Sequence, residues 1–417
     1  MMIVLGTVCL VIVAFLLGLQ VFWACRFALS FPPRPATADE EQLPFAAVIL
    51  CVRGADPSLP ACVQGLFQQD YPRFQIRIVL DSAGDPAFEV LCRALGKNPP
   101  ANVKALVLEN PEPTCSLKVS ALMQAMGELD DAIEVVALID ADVVPYRHWL
   151  RDLVTPFADP TIGATTGFRW YAPNGKTNWW TLVRSMWNAG ACTQMAALHI
   201  PWGGSLALRT SLYRDSDLFD RWLHSFGEDT SCHRVVRSQG LRLACVPAVT
   251  MVNHDSIGAK RGFTFIRRQL VSARLGHENW PWVLALGIGA PLIVLLTMAL
   301  AALTWADGGW ALAAGLAVAL ALYALGLSLC LAWADRHINR MVQARGGAPY
   351  SFSWRSLLAG PFTLGVYVAC LFSAALVRRV EWRGITYSLQ GARRIRMLEY
   401  RPYRSAAKER DPHPSLA

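Results

Sequence analysis

Hydrophobic positions along this chain fall into two regimes: unbroken runs towards both ends and short bursts in the middle. Met1–Cys25 carries no charge, and neither do Pro281–Ala306, Gly308–Ala334 and Ser356–Val377. Each run exceeds the roughly 20 residues that cross about 30 Å of hydrocarbon at about 1.5 Å per residue. Trp280, Trp282, Trp305, Trp310, Trp333 and Trp354 stand at the edges of the later runs, where amphipathic rings favour the membrane–water interface. Runs of this length with aromatic edges predict membrane helices rather than buried core helices.

Between residues 45 and 255 the pattern changes. Ala46–Val52, Ile76–Leu80, Val103–Leu108 and Val135–Ile139 are apolar runs of strand length. Asp56-Pro57 opens a helical pattern with Leu59, Val63 and Leu66 on one face. Near-continuous apolar strands alternating with helices predict an α/β fold: a mostly parallel, Rossmann-like sheet with helices on both faces, flanked by transmembrane helices at both ends. Ligands bind such sheets beyond the carboxyl ends of the strands, and acidic residues stand there in this chain.

The charges set an expected orientation. Arg26 and Arg34 follow the first run instead of preceding it, which fits an uncleaved anchor with its N-terminus outside and residues 45–255 in the cytoplasm. Arg336, Arg340 and Arg345 agree. Three later spans would leave the tail outside, yet Arg378, Arg379, Arg383, Arg393, Arg394 and Arg396 argue for inside. Gly360-Pro361 is the point at which the last run is expected to break into a re-entrant or interfacial element. Just before the C-terminal runs, Phe263, Ile266, Leu270 and Ala273 share one helical face. Arg267, Arg268 and Arg274 are then available to lipid headgroups, as in a helix lying in the interface. The expected organisation is an anchor (1–25), a cytoplasmic α/β domain (45–255), an amphipathic interfacial helix (260–280), a membrane domain of two or three spans (281–377) and a basic tail (378–417).

Composition narrows the function classes. Hydrophobic residues make up 53% and charged residues 17%, against about 25% charged in a soluble domain, which excludes a disordered chain and a coiled coil. The net charge of +8 lacks a basic stripe with interleaved aromatics, so no nucleic-acid partner is expected. The eleven cysteines form no CxxC pair, pointing to a reduced compartment without structural zinc.

Candidate chemistry starts at Asp140-Ala-Asp142, directly after an apolar strand. Residues i and i+2 of an extended segment point the same way, and two hard oxygen ligands suit Mg²⁺ or Mn²⁺ shared with substrate phosphates. The alternative is a strand-end turn that caps a helix near Pro145. Asp81 ends another strand and Asp85 lies in the loop after it; Lys118 opens a helical pattern. Trp202-Gly203-Gly204 marks a close backbone approach, and Glu228-Asp229 follows Gly227.

The order of these motifs resembles the family 2 and 21 glycosyltransferases of GT-A fold, and within them the ceramide glucosyltransferase-like branch. Gln68-Gln69-Asp70-Tyr71-Pro72 is similar to the family's QDYP and Asp85-Pro86-Ala87 to its DPA. Ser116-Leu117-Lys118 falls at its N-x-K, Asp140–Asp142 at its DxD and Gly227-Glu228-Asp229 at its (G)ED. Glu381-Trp382-Arg383-Gly384 with Tyr387 resembles its WRG-x-x-Y. One element departs: with Arg268 at the first position of (Q/R)xxRW, Val271 and Ser272 stand where Arg and Trp are expected.

The resemblance implies an inverting, membrane-bound transferase with a cytoplasmic GT-A domain at a bacterial inner membrane. It would move a sugar, glucose first, from a UDP-sugar to the hydroxyl of a membrane lipid such as ceramide. A hopanoid or diacylglycerol acceptor with another UDP-sugar is the alternative. A processive polysaccharide synthase is a further one, opposed by the missing Arg-Trp pair. Asp229 would be the general base, with Glu228 beside it. Asp81 or Asp85, Lys118, Asp140 and Arg268 would bind the nucleotide sugar. Asp142 and Asp140 would hold Mg²⁺ or Mn²⁺, and Trp202, Gly203 and Gly204 would face the acceptor. Trp179, Trp180 and Trp187 lie where an apolar acceptor enters, with core packing the alternative for at least two of them. Nothing in the sequence sets the oligomeric state.

Overall fold

The computed structural model describes residues 1–30, 43–96, 99–173, 177–347, 350, 354–401 and 403; Arg34 and the tail beyond 403 lie outside the described residues. Strands β1 (Ala46–Val52), β2 (Phe74–Leu80), β3 (Val103–Val107) and β4 (Val135–Asp140) match the four sequence runs within two residues. They continue through β5 (Ile162–Thr166), β6 (Arg169–Tyr171), β7 (Ser205–Arg209), β8 (Arg242–Cys245) and β9 (Met251–Asn253). Seven of these form one sheet in the order β3-β2-β1-β4-β7-β5-β8, and β6 pairs with β9 alone. The sheet is mostly parallel; β7 runs against both neighbours.

Alternation along the strands builds a core on each face. Ala47, Ile49, Val136 and Leu138 point into one cluster, with α4 (Leu117–Gly127), α9 (Cys232–Ser238) and α10 (Ala259–Gly276). Ala46, Val48, Leu50, Val135 and Ala137 point into the other, against α2 (Leu59–Phe67), α3 (Ala87–Leu95) and α5 (Trp149–Val154). Neither face of β1 is left to water, which is why its sequence reads as an unbroken apolar run. The DxD segment caps no helix: α5 begins at Trp149, with His148 before it.

Four helices are long and apolar enough to cross a membrane: α1 (Met2–Leu29), α11 (Trp280–Ala306), α12 (Trp310–Ala344) and α13 (Trp354–Leu376). Three of them, α1, α11 and α12, pack on one another. The fourth, α13, lies along α6 (Trp179–Leu198) and α10 as well as α11. The expected break at Gly360-Pro361 does not occur, because Pro361 is carried inside one continuous helix.

Both flanks of α13 meet the α/β body. Ahead of it, the Tyr350 ring lies edge-on to His254, and Trp170 donates to Asp335 near the end of α12 (3.1 Å). Behind it, strands β10 (Arg379–Trp382), β11 (Ile385–Leu389) and β12 (Ile395–Glu399) form an antiparallel sheet. Its Val380, Ile385 and Tyr387 enter the core beside α4.

The expectation that three arginines of α10 face headgroups is corrected at two of them. Arg268 lines the cleft described below. Arg274 donates to the carbonyls of Ala375 (2.8 Å) and Val377 (3.0 Å), closing the end of α13. A helix between two neighbours has no wholly free polar face, so its cations satisfy backbone and cleft instead.

Candidate active site

Strand register brings the chemistry to one level. Cys51 on β1 pairs with Asp140 on β4, and Val52 with Leu80 on β2. Arg53, Asp81 and Asp140 therefore emerge together at the carboxyl ends, as parallel sheets require of a ligand site. Because β7 is antiparallel, with Ser205 opposite Ile139, it begins where β4 ends and delivers Trp202-Gly203-Gly204 to the same place. A cleft of about 1560 Å³, open to solvent, occupies this end.

A chain of charged contacts crosses its floor. Lys118, on the first turn of α4, donates to Asp140 Oδ1 (2.7 Å) and Glu228 Oε1 (2.5 Å). Arg169 donates to both oxygens of Asp142 (2.9 and 2.6 Å) and to Asp140 Oδ2 (3.0 Å). Its guanidinium also lies over the Trp202 ring at 4.8 Å. Burial opposes the charge on Asp140, but Lys118 and Arg169 outweigh it and hold its pKa at about 2. Burial likewise opposes the Lys118 ammonium, and Asp140 and Glu228 reverse the balance, raising its pKa.

Asp229 behaves differently. Burial, and then the neighbouring Glu228, push its pKa up to about 7, although it accepts from Gly203 N–H (3.0 Å) and Thr230 N–H (2.6 Å). A carboxylate tuned to neutrality in a cleft is the state a general base needs. The two glycines make this approach feasible. A Cβ at Gly203 would collide with Glu228 Oε1, and one at Gly204 with the Trp202 ring.

The other residues singled out in the sequence divide. Asp81 lines the cleft and pairs with Arg53. Burial raises its pKa while Arg53 opposes the rise. Asp85 does not line the cleft. Its carboxylate accepts from Gly54 N–H (2.9 and 3.0 Å) and Ala87 N–H (2.8 Å), tying β1 to the start of α3. That geometry gives it a backbone to hold, in place of the base or ribose expected of it. Arg268 lines the cleft, stacks over Trp382 at 4.9 Å and forms no ion pair among the described residues. Burial, and then Arg383, lower its pKa. Of the three tryptophans, Trp187 lines the cleft, Trp180 packs edge-on to Phe362 of α13, and Trp179 is exposed.

Carboxylates and cations from widely separated stretches of the chain thus share one cleft at the sheet's carboxyl edge. The profile of Glycosyl transferase family 21 matches residues 6–395. The chain belongs to glycosyl transferase family 21. This transferase is 30% identical over 78 residues to a ceramide glucosyltransferase of Candida albicans, covering 18% of this chain and 14% of that one. It is also 30% identical over 135 residues to a pre-mycofactocin glycosyltransferase of Mycobacterium tuberculosis, covering 29% and 27%. These matches span less than a third of the relatives' lengths. In fold, the transferase is similar to a mannosyltransferase of Pyrobaculum calidifontis solved with GDP-Man and Mn²⁺. That likeness has a TM-score of 0.51 at 19% identity, over 82% of this chain and 99% of that one.

Sequence reasoning missed two contributors to the transferase's cleft, Arg169 and Arg53, and gave a third, Arg383, a motif but no place in the site. Arg169 carries the only charge in the segment Ile162–Ala172, and that isolation was its one signal. Arg53 donates to Arg383 O (2.7 Å) and also reaches Arg401 O and Asp81. Arg383 lines the cleft with Trp382 and Tyr387 and lies 3.3 Å from Asp56. The Tyr387 hydroxyl accepts from Leu117 N–H (3.1 Å), fastening the C-terminal sheet to the start of α4.

Proposed function

We propose that this transferase moves a sugar, glucose first, from a UDP-sugar to the hydroxyl of a membrane lipid such as ceramide, inverting the anomeric carbon. The observation that carries the reading is the line of contacts from Asp142 through Arg169, Asp140 and Lys118 to Glu228, with Asp229 beside it. The ceramide glucosyltransferase matches support the sugar and lipid class.

Asp81 hydrogen-bonds the base or ribose at its strand end. Lys118 and the cleft-lining guanidinium of Arg268 bind the diphosphate, whose charge grows as the glycosidic bond breaks. The Asp229 carboxylate takes the proton of the lipid hydroxyl as that oxygen attacks the anomeric carbon opposite the leaving diphosphate. Glu228 keeps Lys118 in place and holds the Asp229 pKa up. Trp202, Gly203 and Gly204 shape the acceptor side. The buried Val271 and the Ser272 that replace an Arg-Trp pair favour single transfer over polymer extension.

A divalent cation, when bound, supplies Lewis-acid stabilisation of the leaving diphosphate. The donor set fits one: Asp142 and Asp140 present hard oxygens with side chains 33% and 26% exposed towards the cleft. Among the described residues no group of three or more His, Cys, Asp or Glu could hold a metal, so phosphates and water would complete the shell. Mg²⁺ and Mn²⁺ both satisfy this chemistry.

In this reading α1, α11 and α12 cross the bilayer, while α13 lies along its cytoplasmic face. The sheet that follows α13 contributes Trp382 and Arg383 to the cleft, so a crossing by α13 would place the tail on the wrong side. Two crossings after the catalytic domain also put the tail arginines inside, as their charge requires. A lipid hydroxyl at headgroup depth then meets the cleft.

Mass spectrometry of lipids from cells expressing the chain tests the reading. A new species heavier than a resident lipid by one hexose is expected, absent with Asp229→Asn and after chelation in a membrane assay. A lipid profile identical to that of cells lacking the protein would refute it.

A further inference from the structure

Behind the loop Phe226–Thr230 lies a second cavity of about 900 Å³, also open to solvent. Phe226, Gly227 and Ser272 line both cavities and form the partition between them. The partition is thin: a Cβ at Gly227 would lie 2.7 Å from Ser272 Oγ. The residue that stands where the family resemblance placed a tryptophan is therefore what keeps this second space open.

Its lining is basic. Arg221, Arg234, Arg274 and Arg393 line it against one acid, Glu278. Glu278 is shared, with His233 at 3.0 Å, Arg237 at 3.1 Å and Arg234 at 3.9 Å. The Arg274 hydrogen bonds go to neutral carbonyls, which leave its charge uncancelled. Arg221 is already paired with Asp217 at 2.7 Å, whereas Arg393 forms no ion pair among the described residues. Ser231 Oγ and Arg221 Nε are buried without a hydrogen-bond partner among the described residues. Trp280 and Pro281, the first residues of α11, complete the wall.

We infer that this cavity binds a phosphate group, and specifically the phosphodiester of an anionic phospholipid. The guanidinium groups of Arg234, Arg274 and Arg393 form a donor set for phosphate oxygens. The source follows from place: α11 is apolar enough to enter a bilayer, and its first turn sits at headgroup depth, where basic pockets recruit anionic lipids. A phosphate held here braces the loop that carries Glu228 and Asp229 from behind, coupling membrane charge to the cleft. The inference does not depend on the sugar or acceptor proposed above.

Native mass spectrometry of the full chain in detergent, with phosphatidylglycerol or phosphatidylcholine added, tests it without an activity assay. The wild type should retain phosphatidylglycerol in preference by about tenfold, the scale of one charged hydrogen bond. Arg234→Ala with Arg393→Ala should reduce retention to the phosphatidylcholine level. Arg242→Ala, which removes one positive charge on the edge strand β8 away from the cavity, should leave it unchanged. Both tested arginines are exposed, and an unaltered melting temperature separates lost binding from lost fold. Arg393→Gln, in a turn of the C-terminal sheet, gives an independent variant with the same expected direction. Equal retention by the wild type and the double variant overturns the proposal. Displacement of the lipid by inorganic phosphate overturns the lipid as occupant.

Discussion

Arg169 holds Asp142 through two nitrogens, at 2.9 and 2.6 Å, and reaches Asp140 at 3.0 Å with the second of them. One guanidinium occupies the place from which a cation would draw on both carboxylates, so Arg169 and a metal ion compete for Asp142. Removing the competitor with Arg169→Gln should tighten Mn²⁺ binding in the absence of donor by roughly tenfold, a shift of about 1.4 kcal/mol. Titration of free Mn²⁺ by electron paramagnetic resonance reads this directly. Unchanged affinity would mean that the ion, if bound, takes its oxygens elsewhere.

Lys118 joins two carboxylates from elements far apart in sequence, β4 and the loop before α9. Its side chain is 16% exposed and that of Glu228 is 4% exposed. Lys118→Met removes the cation and leaves both acids without it, an error that costs about 3–5 kcal/mol in buried pairs. A fall in melting temperature and loss of donor binding are both expected. Melting like that of the wild type would show that water reaches Glu228 and that the pair is not structural.

The sheet was legible because its central strands are buried on both faces: the unbroken apolar runs of β1 and β4 have no other explanation. Asp140, Lys118 and Asp229 were legible because they close elements whose order matches a family pattern. Arg169 and Arg53 were not, since each is defined by a partner brought from another strand and by nothing in its own neighbourhood. Asp85 carried a motif yet caps a turn; local sequence cannot tell a carboxylate that faces a ligand from one that faces a backbone N–H. The position of α13 was equally hidden. Its apolar length fits a span; in the proposed topology the docking of both its flanks on the α/β body joins the charge of the tail arginines in arguing against a crossing.

Asp229 gives a pH prediction with two opposite signs. Its folded pKa of about 7 stands above the ordinary 3.8, so the folded chain holds a proton that the unfolded chain has released. The stability contributed by this group is therefore full below the ordinary value and falls as pH rises towards 7. Transfer needs the deprotonated base and should rise across pH 7. Asp229→Asn should lower turnover by about 10²–10⁴-fold, abolish that rise and leave donor binding largely intact. Turnover by the variant within a few-fold of the wild type would remove Asp229 as the base.

Ser272 and Val271 allow the missing Arg-Trp pair to be tested one residue at a time. Val271 is fully buried, so Val271→Arg places a charge in the core with no counterion and should prevent stable folding, at a cost of several kcal/mol. Ser272→Trp is different, because Ser272 borders both cavities and an indole has room only by filling one and pressing on Gly227. That pressure falls on the loop bearing Glu228 and Asp229. The variant should fold, bind donor and lose transfer by tenfold or more, since small misplacements of a catalytic group cost about 10²-fold. Donor affinity measured by calorimetry, beside turnover, separates the two effects. If Ser272→Trp turned over normally, the partition would be shown to yield without moving the catalytic loop, and position 272 would have no bearing on transfer.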